Sequence, residues 1–129
     1  ERFLARPLAA LRPALLAIDG IGPETADSIA LYAAGRATFV VDAYTRRIGL
    51  RHGFVKPQDD YEAIRARFEG HLRRRVGLWQ DYHAQLVCVG KHWCRPRPRC
   101  AGCPLARFGR APQAPPRRGA PPGRRQRRR

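Results

Sequence analysis

LLAIDGIGPETADSIALYAAGRATFVVDAYTRR, residues 15–47, is the stretch on which the fold turns. Asp19-Gly20-Ile21-Gly22-Pro23 interrupts a helical pattern, and two glycines this close mark a tight turn. Pro23 opens a helix, because its fixed φ suits a first turn and its missing N–H costs nothing there. Ala26, Ile29, Ala30 and Ala33 then share one face up to Gly35. Upstream, Leu8, Leu11, Leu15, Leu16 and Ile18 recur at roughly helical spacing, and Pro13 fits the first turn of a short helix over about 13–18. The segment therefore reads helix, glycine hairpin, helix. Thr38-Phe39-Val40-Val41 is β-branched and aromatic but too short for a sheet, so it is expected to be a buried extended connector. Asp42 has the side chain to cap a helix over 43–52, and Gly53 can end it. Two further helices are expected over 59–75, carrying Tyr61, Ile64 and Phe68, and over 78–90, carrying Leu78, Tyr82, Leu86 and Val89. No internal repeat is visible, and the fold class is all-α.

The chain has 129 residues, one domain's worth, opens at Glu1 and contains no Met. It shows no charged-then-apolar leader and no run near the ~20 apolar residues of a spanning helix. The expectation is a cytoplasmic, nucleoid-associated protein with no membrane partner, read as a fragment lacking its natural N-terminus. Net charge is +16, from 26 Lys+Arg against 10 Asp+Glu. Nine Arg and no acid fall in Pro104–Arg129, which leaves +7 on the rest. A basic body with a more basic tail points to a polyanion, nucleic acid first among them. Because only Lys56 and Lys91 are lysines, an arginine-biased composition on a solvated surface is the plain alternative. After Arg107 the chain is Pro, Gly and Arg with almost nothing apolar, so it is expected to be disordered.

Three constellations carry chemistry. In the hairpin, Gly20, Ile21, Gly22 and Thr25 are expected to present backbone N–H groups and a helix dipole to a DNA phosphate, with Ile21 plugging between the helices. An ordinary turn between two packed helices has the same outline. Asp42, at a helix start, should accept backbone N–H bonds and stay ionised near neutral pH, as any capping aspartate would. All four cysteines lie between 88 and 103, a clustering that suits metal ligation better than a disulfide framework. Arg95, Arg97 and Arg99 alternate with Pro96 and Pro98 between Cys94 and Cys100, which suits an extended cationic loop against phosphate.

Residues 15–47 resemble the core of the endonuclease III superfamily of helix-hairpin-helix DNA glycosylases. The likeness rests on the hairpin, on the Val41-Asp42 step about twenty residues later and on Arg47. It continues through His83, Leu86, Gly90 and Cys94, and covers about 90 residues. It implies that Asp42 is catalytic and that Cys94-x5-Cys100-x2-Cys103 corresponds to a [4Fe–4S] loop whose basic residues touch DNA. It also implies a division into residues 1–36, the end of a six-helix barrel with the hairpin, 37–106, the catalytic Asp helix and Cys loop, and a tail over 107–129. The family's fourth cysteine would fall near Gly109, so the expected [4Fe–4S] cluster is either intact with another fourth ligand or degenerate. Cys88 is a doubtful fourth ligand and more naturally a buried small hydrophobe. Free thiols with no metal, and zinc held by three cysteines and His92, are the alternatives.

Glu24 stands where bifunctional members of that family carry a lysine that attacks the sugar. Its context, GIGPETAD, is similar to the monofunctional 3-methyladenine glycosylase branch. The expected function is a DNA N-glycosylase that removes an alkylated purine from duplex DNA, acting as a monomer without efficient strand cleavage. The alternative is a non-catalytic DNA-binding protein of the same ancestry. A metal-stabilised adaptor whose arginine tail binds RNA or acidic protein is a third reading.

Overall fold

The computed structural model describes residues 2–108, so the expectation of a disordered tail falls, from Gly109 onward, outside the described residues. Five α-helices follow one another: α1 (Leu8–Leu16), α2 (Pro23–Ser28), α3 (Ala43–His52), α4 (Tyr61–His71) and α5 (Val76–His92). Among the described residues there is no β-strand, and no helix is long and apolar enough to cross a membrane. The all-α reading holds.

Local chemistry sets most boundaries. Asp42 accepts the Thr45 N–H at 2.7 Å and starts α3, which ends at Gly53 with φ +80°, a conformation that L side chains resist. Asp60 does the same for α4 through Ala63 N–H at 2.8 Å. After α2 the chain widens into a π-helical turn over Ile29–Ala33, then leaves the helix at Gly35. Such turns are rare inside helices and often accompany functional sites. This one carries Tyr32.

Two expectations are corrected. The first helix spans 8–16 rather than 13–18: Pro7 occupies the N-cap, and Pro13 lies inside the helix. A proline there removes one intrahelical hydrogen bond, a cost of about 3 kcal/mol. Burial of Leu11 and Leu15 against Ala26 and Ala30 works against that cost, while Leu16 and Ile18 stay exposed. The helix expected over 59–75 ends at His71, where Leu72 turns to an extended backbone. That exit lets Leu72 and Val76 pack on the core while Arg73, Arg74 and Arg75 remain in water.

Thr38–Val41 is, as anticipated, an extended and buried connector. Phe39 stacks on Phe68 at 4.4 Å between ring centroids and meets Trp79 edge-on at 6.4 Å. These residues join Ile48, Ile64, Leu86 and Val89 in the main core. A smaller core under the hairpin consists of Leu11, Leu15, Ala26 and Ala30, with Ile21 half-buried against it.

Between the two cores lies a polar hub. Asp27, wholly buried, accepts two hydrogen bonds from Arg12, at 2.7 and 3.0 Å, and one each from the Thr38 and Tyr61 hydroxyls at 2.8 Å. Arg12 also reaches Glu62, and the Asp27 bond is the main cause that pushes its pKa up. The Tyr61 hydroxyl further accepts the Val41 N–H at 3.4 Å and lies 3.3 Å from the Pro23 carbonyl oxygen. One phenol thus touches both the start of the hairpin's second helix and the residue before Asp42.

α3 crosses α5 closely enough that only glycine fits at position 90. A Cβ there would stand 2.8 Å from both Cβ and Cγ of Tyr44. Gly90→Ala is expected to destabilise the chain by about 1–3 kcal/mol through overpacking. Urea denaturation checks this, and an unchanged midpoint would refute the close crossing.

Candidate functional site

The site is built around the start of α3. The Asp42 side chain is 11% exposed and the His83 side chain, on one face of α5, is 13% exposed. Asp42 Oδ1 accepts the Thr45 N–H, and Oδ2 lies 3.1 Å from His83 Nε2. The other ring nitrogen, Nδ1, is 2.7 Å from the hydroxyl of Tyr32 on the π-helical turn. That hydroxyl also lies 3.2 Å from the Gln80 carbonyl oxygen, and the Gln80 side chain donates to the Leu31 carbonyl at 3.0 Å. Asp42, His83 and Tyr32 form a hydrogen-bonded row from a nearly buried carboxyl to a half-exposed phenol.

Burial pushes the Asp42 carboxyl up, and the hydrogen bonds from the His83 ring and the Thr45 backbone outweigh it, leaving the carboxyl below its ordinary range. The result is a carboxylate at neutral pH. Each oxygen uses one lone pair on the protein and keeps another, so the group can face a developing positive charge or accept a proton from water.

In the hairpin, Gly20 takes φ +85° and has open space around it. Gly22 is the N-cap of α2 with no side-chain cap, and Gly22, Glu24 and Thr25 are exposed. Arg95, Arg97 and Arg99 are exposed on the loop after α5. That loop is tied to α3 by two arginines. Arg47 donates to the Cys94 and Gly90 carbonyls at 2.6 and 3.2 Å, placing its charge at the negative end of the α5 dipole. Arg51 donates to the Arg95 and Pro96 carbonyls and to Cys94 Sγ at 3.3 Å.

The cysteines do not assemble. Cys94 is buried in the core with Arg51 against its sulfur, Cys103 is half-buried, and Cys100 is exposed. Cys88 is exposed too, which corrects its reading as a buried hydrophobe. His92 lies exposed against Trp93. Among the described residues no three Cys, His, Asp or Glu side chains form a group that could hold a metal ion. This donor set does not fit a four-thiolate cluster.

Sequence reasoning assigns His83 no role beyond its place on the last helix, and Tyr32 none at all. No local pattern announces either, since His83 meets Asp42 only across 41 residues of chain.

No family model matches the chain. It is 44% identical, over 98 residues and 76% of its length, to a Methanocaldococcus jannaschii protein named "Putative DNA repair glycosylase". It is 31% identical over 97 residues to endonuclease III of Bacillus subtilis. Its homologues are endonuclease III-like proteins of the helix-hairpin-helix superfamily. The chain spans 44% and 42% of the lengths of those two relatives. The fold agrees: a solved non-covalent endonuclease III–DNA complex superimposes with a TM-score of 0.69 at 25% identity, covering 77% of this chain and 46% of that one. A trapped covalent endonuclease III–DNA intermediate superimposes equally well. The endonuclease III-like chain thus carries the part of the fold that holds the hairpin, the Asp42 helix and the loop after α5.

Proposed function

We propose that this chain is the hairpin-and-aspartate portion of a DNA N-glycosylase that hydrolyses the bond between deoxyribose and an alkylated purine. The observation that carries the reading is Asp42, an ionised and nearly buried carboxylate at a helix start, in a chain whose relatives are endonuclease III-like. DNA is gripped in this reading by the Gly20–Gly22 hairpin and Thr25 on one side and by Arg95, Arg97 and Arg99 on the other, and the target nucleotide is turned out of the stack.

The chemistry then follows from charge. A purine nucleotide alkylated at ring nitrogen N3 or N7 carries a fixed positive charge on the base, which therefore leaves with the electrons of the glycosidic bond without first being protonated. Positive charge grows on the sugar as it departs, and the Asp42 carboxylate stabilises it. Water adds at the sugar carbon, and its proton passes to Asp42 and on to solvent.

Strand cleavage through a Schiff base needs an amine at the sugar. Glu24 stands at the hairpin position, and the two lysines are exposed elsewhere, Lys56 after α3 and Lys91 near the end of α5. The reaction is therefore monofunctional. Cys94, Cys100 and Cys103 are read as a degenerate cluster loop whose remaining work belongs to its arginines. Residues 1–36 supply the hairpin, 37–106 the carboxylate and loop, and 107–129 an electrostatic arm.

The test is to incubate the full chain, as a monomer, with duplex DNA bearing N-alkylated purines. Free modified base should appear, and strand breaks should appear only after alkali treatment. Breaks without alkali would overturn the monofunctional reading, and DNA binding with no base released from any lesion would leave a binding protein of the same ancestry. Replacing Arg95, Arg97 and Arg99 together by Ala should reduce the salt dependence of DNA binding by about 0.9 in slope for each phosphate no longer neutralised. An unchanged slope would remove the loop from the interface.

A further inference from the structure

We propose that His83, with its tautomer held by Tyr32, is the positioning residue that orients the Asp42 carboxylate for reaction. The inference rests on the glycosylase reading for its consequence and on geometry for its content. An ionised Asp42 can only accept, so Nε2 of His83 must be the protonated nitrogen that donates across 3.1 Å. In a neutral ring Nδ1 is then a bare lone pair and requires a donor. The Tyr32 hydroxyl has one proton and two acceptors in reach; Nδ1 at 2.7 Å is nearer than the Gln80 carbonyl oxygen at 3.2 Å, so the proton goes to the ring. Tyr32 stays protonated: burial pushes its pKa up, and the charges of Asp42 and Asp81 push it further.

Every element around the ring contributes to this arrangement. Asp42 faces it from the start of α3, held there by the Thr45 backbone, and Tyr32 from the π-helical turn, while the charge of Asp81 on α5 acts on Tyr32. The Gln80 amide, bonded to the Leu31 carbonyl, holds the turn beside α5 so that the phenol reaches the ring. With Oδ1 fixed by the Thr45 backbone and Oδ2 by His83, the carboxylate plane cannot rotate without breaking a bond. Its remaining lone pairs therefore keep one direction, the requirement for stabilising charge at a fixed sugar carbon.

The effect of removing the ring has a definite sign. Asp42 loses a donor that favours its charged form, its pKa rises, and the ionised fraction disappears at a higher pH. His83→Ala should slow single-turnover base release roughly a hundredfold, the scale of a misplaced reacting group. It should also move the acid limb of the rate profile to higher pH while DNA affinity stays unchanged. His83→Gln keeps an N–H donor near the Nε2 position and should recover most of the rate and return the acid limb. Tyr32→Phe, at a half-exposed position, should release the tautomer and lower the rate several-fold with the fold intact.

Two spectroscopic readouts on the full chain do not depend on activity. Ring nitrogen shifts should report the Nε2–H tautomer of His83 in the wild type and a mixture in Tyr32→Phe. Carboxyl carbon titration should find Asp42 below its ordinary range, and higher in His83→Ala. A wild-type chain that shows both signatures yet releases no base upholds the positioning geometry and sinks the glycosylase reading. An Nδ1–H tautomer, an unmoved acid limb in His83→Ala, or a His83→Gln variant no better than His83→Ala overturns the proposal. Circular dichroism and thermal melts identify any variant that fails to fold, and Tyr32→Phe then carries the decision.

Discussion

Asp42→Asn is expected to abolish base release, by about a thousandfold or more, while DNA binding stays within a few-fold of wild type. Asparagine caps helices as well as aspartate does, and its side-chain oxygen can still accept the Thr45 N–H, so α3 keeps its start. The negative charge is gone, and with it the stabilisation of a cationic sugar. The new amide also presents N–H groups to His83, so the ring must exchange its proton to accept one of them and donate to Tyr32 instead. Single-turnover release from an alkylated duplex, with affinity measured on the same DNA, checks the prediction. Release at the wild-type rate would remove Asp42 from the chemistry. The wild type supplies a matching pH test. Because the carboxyl is held below its ordinary range, the acid limb should lie at a lower pH than a free aspartate would give.

What is legible in the sequence is what is decided within a few residues. Pro23 after Gly22, Asp42 three residues before Thr45, and Gly53 at the end of α3 each act on their own turn of backbone, and each marks its boundary correctly. The same holds for Thr38–Val41, whose composition admits burial and no helix. Pro13 misleads because its tolerance inside α1 depends on Leu11 and Leu15 reaching a core formed by α2, which spacing alone does not reveal. The Arg47 bonds to the end of α5 and the His83 bond to Asp42 each span more than forty residues, and no periodicity encodes them. Asp27 is invisible for another reason. An aspartate in a short helix reads as solvated, whereas the fold buries it completely and surrounds it with donors.

Asp27→Ala is the substitution expected to cost the most stability, about 3–5 kcal/mol, because it leaves the Arg12 guanidinium and two hydroxyls around an empty, buried site. Against a total of about 5–15 kcal/mol for a domain, such a loss brings the chain close to unfolding at ambient temperature. Asp27→Asn is expected to cost less, since the amide oxygen can still accept one donor and Glu62 still neutralises Arg12. Urea denaturation of both variants measures this, and an alanine variant within ~0.5 kcal/mol of wild type would show that the hub contributes no more than an ordinary surface site. The larger consequence concerns geometry. Tyr61 touches Asp27, the Pro23 carbonyl and the Val41 N–H with one hydroxyl, so the hairpin and the residue before Asp42 share a single reference point. Combining Asp27→Ala with Tyr61→Phe should therefore cost less than the two separate losses added together, because either change alone already breaks the Tyr61–Asp27 bond. Strict additivity would mean that the hairpin and the Asp42 helix are positioned independently, and that the spacing between phosphate grip and carboxylate is set by apolar packing instead.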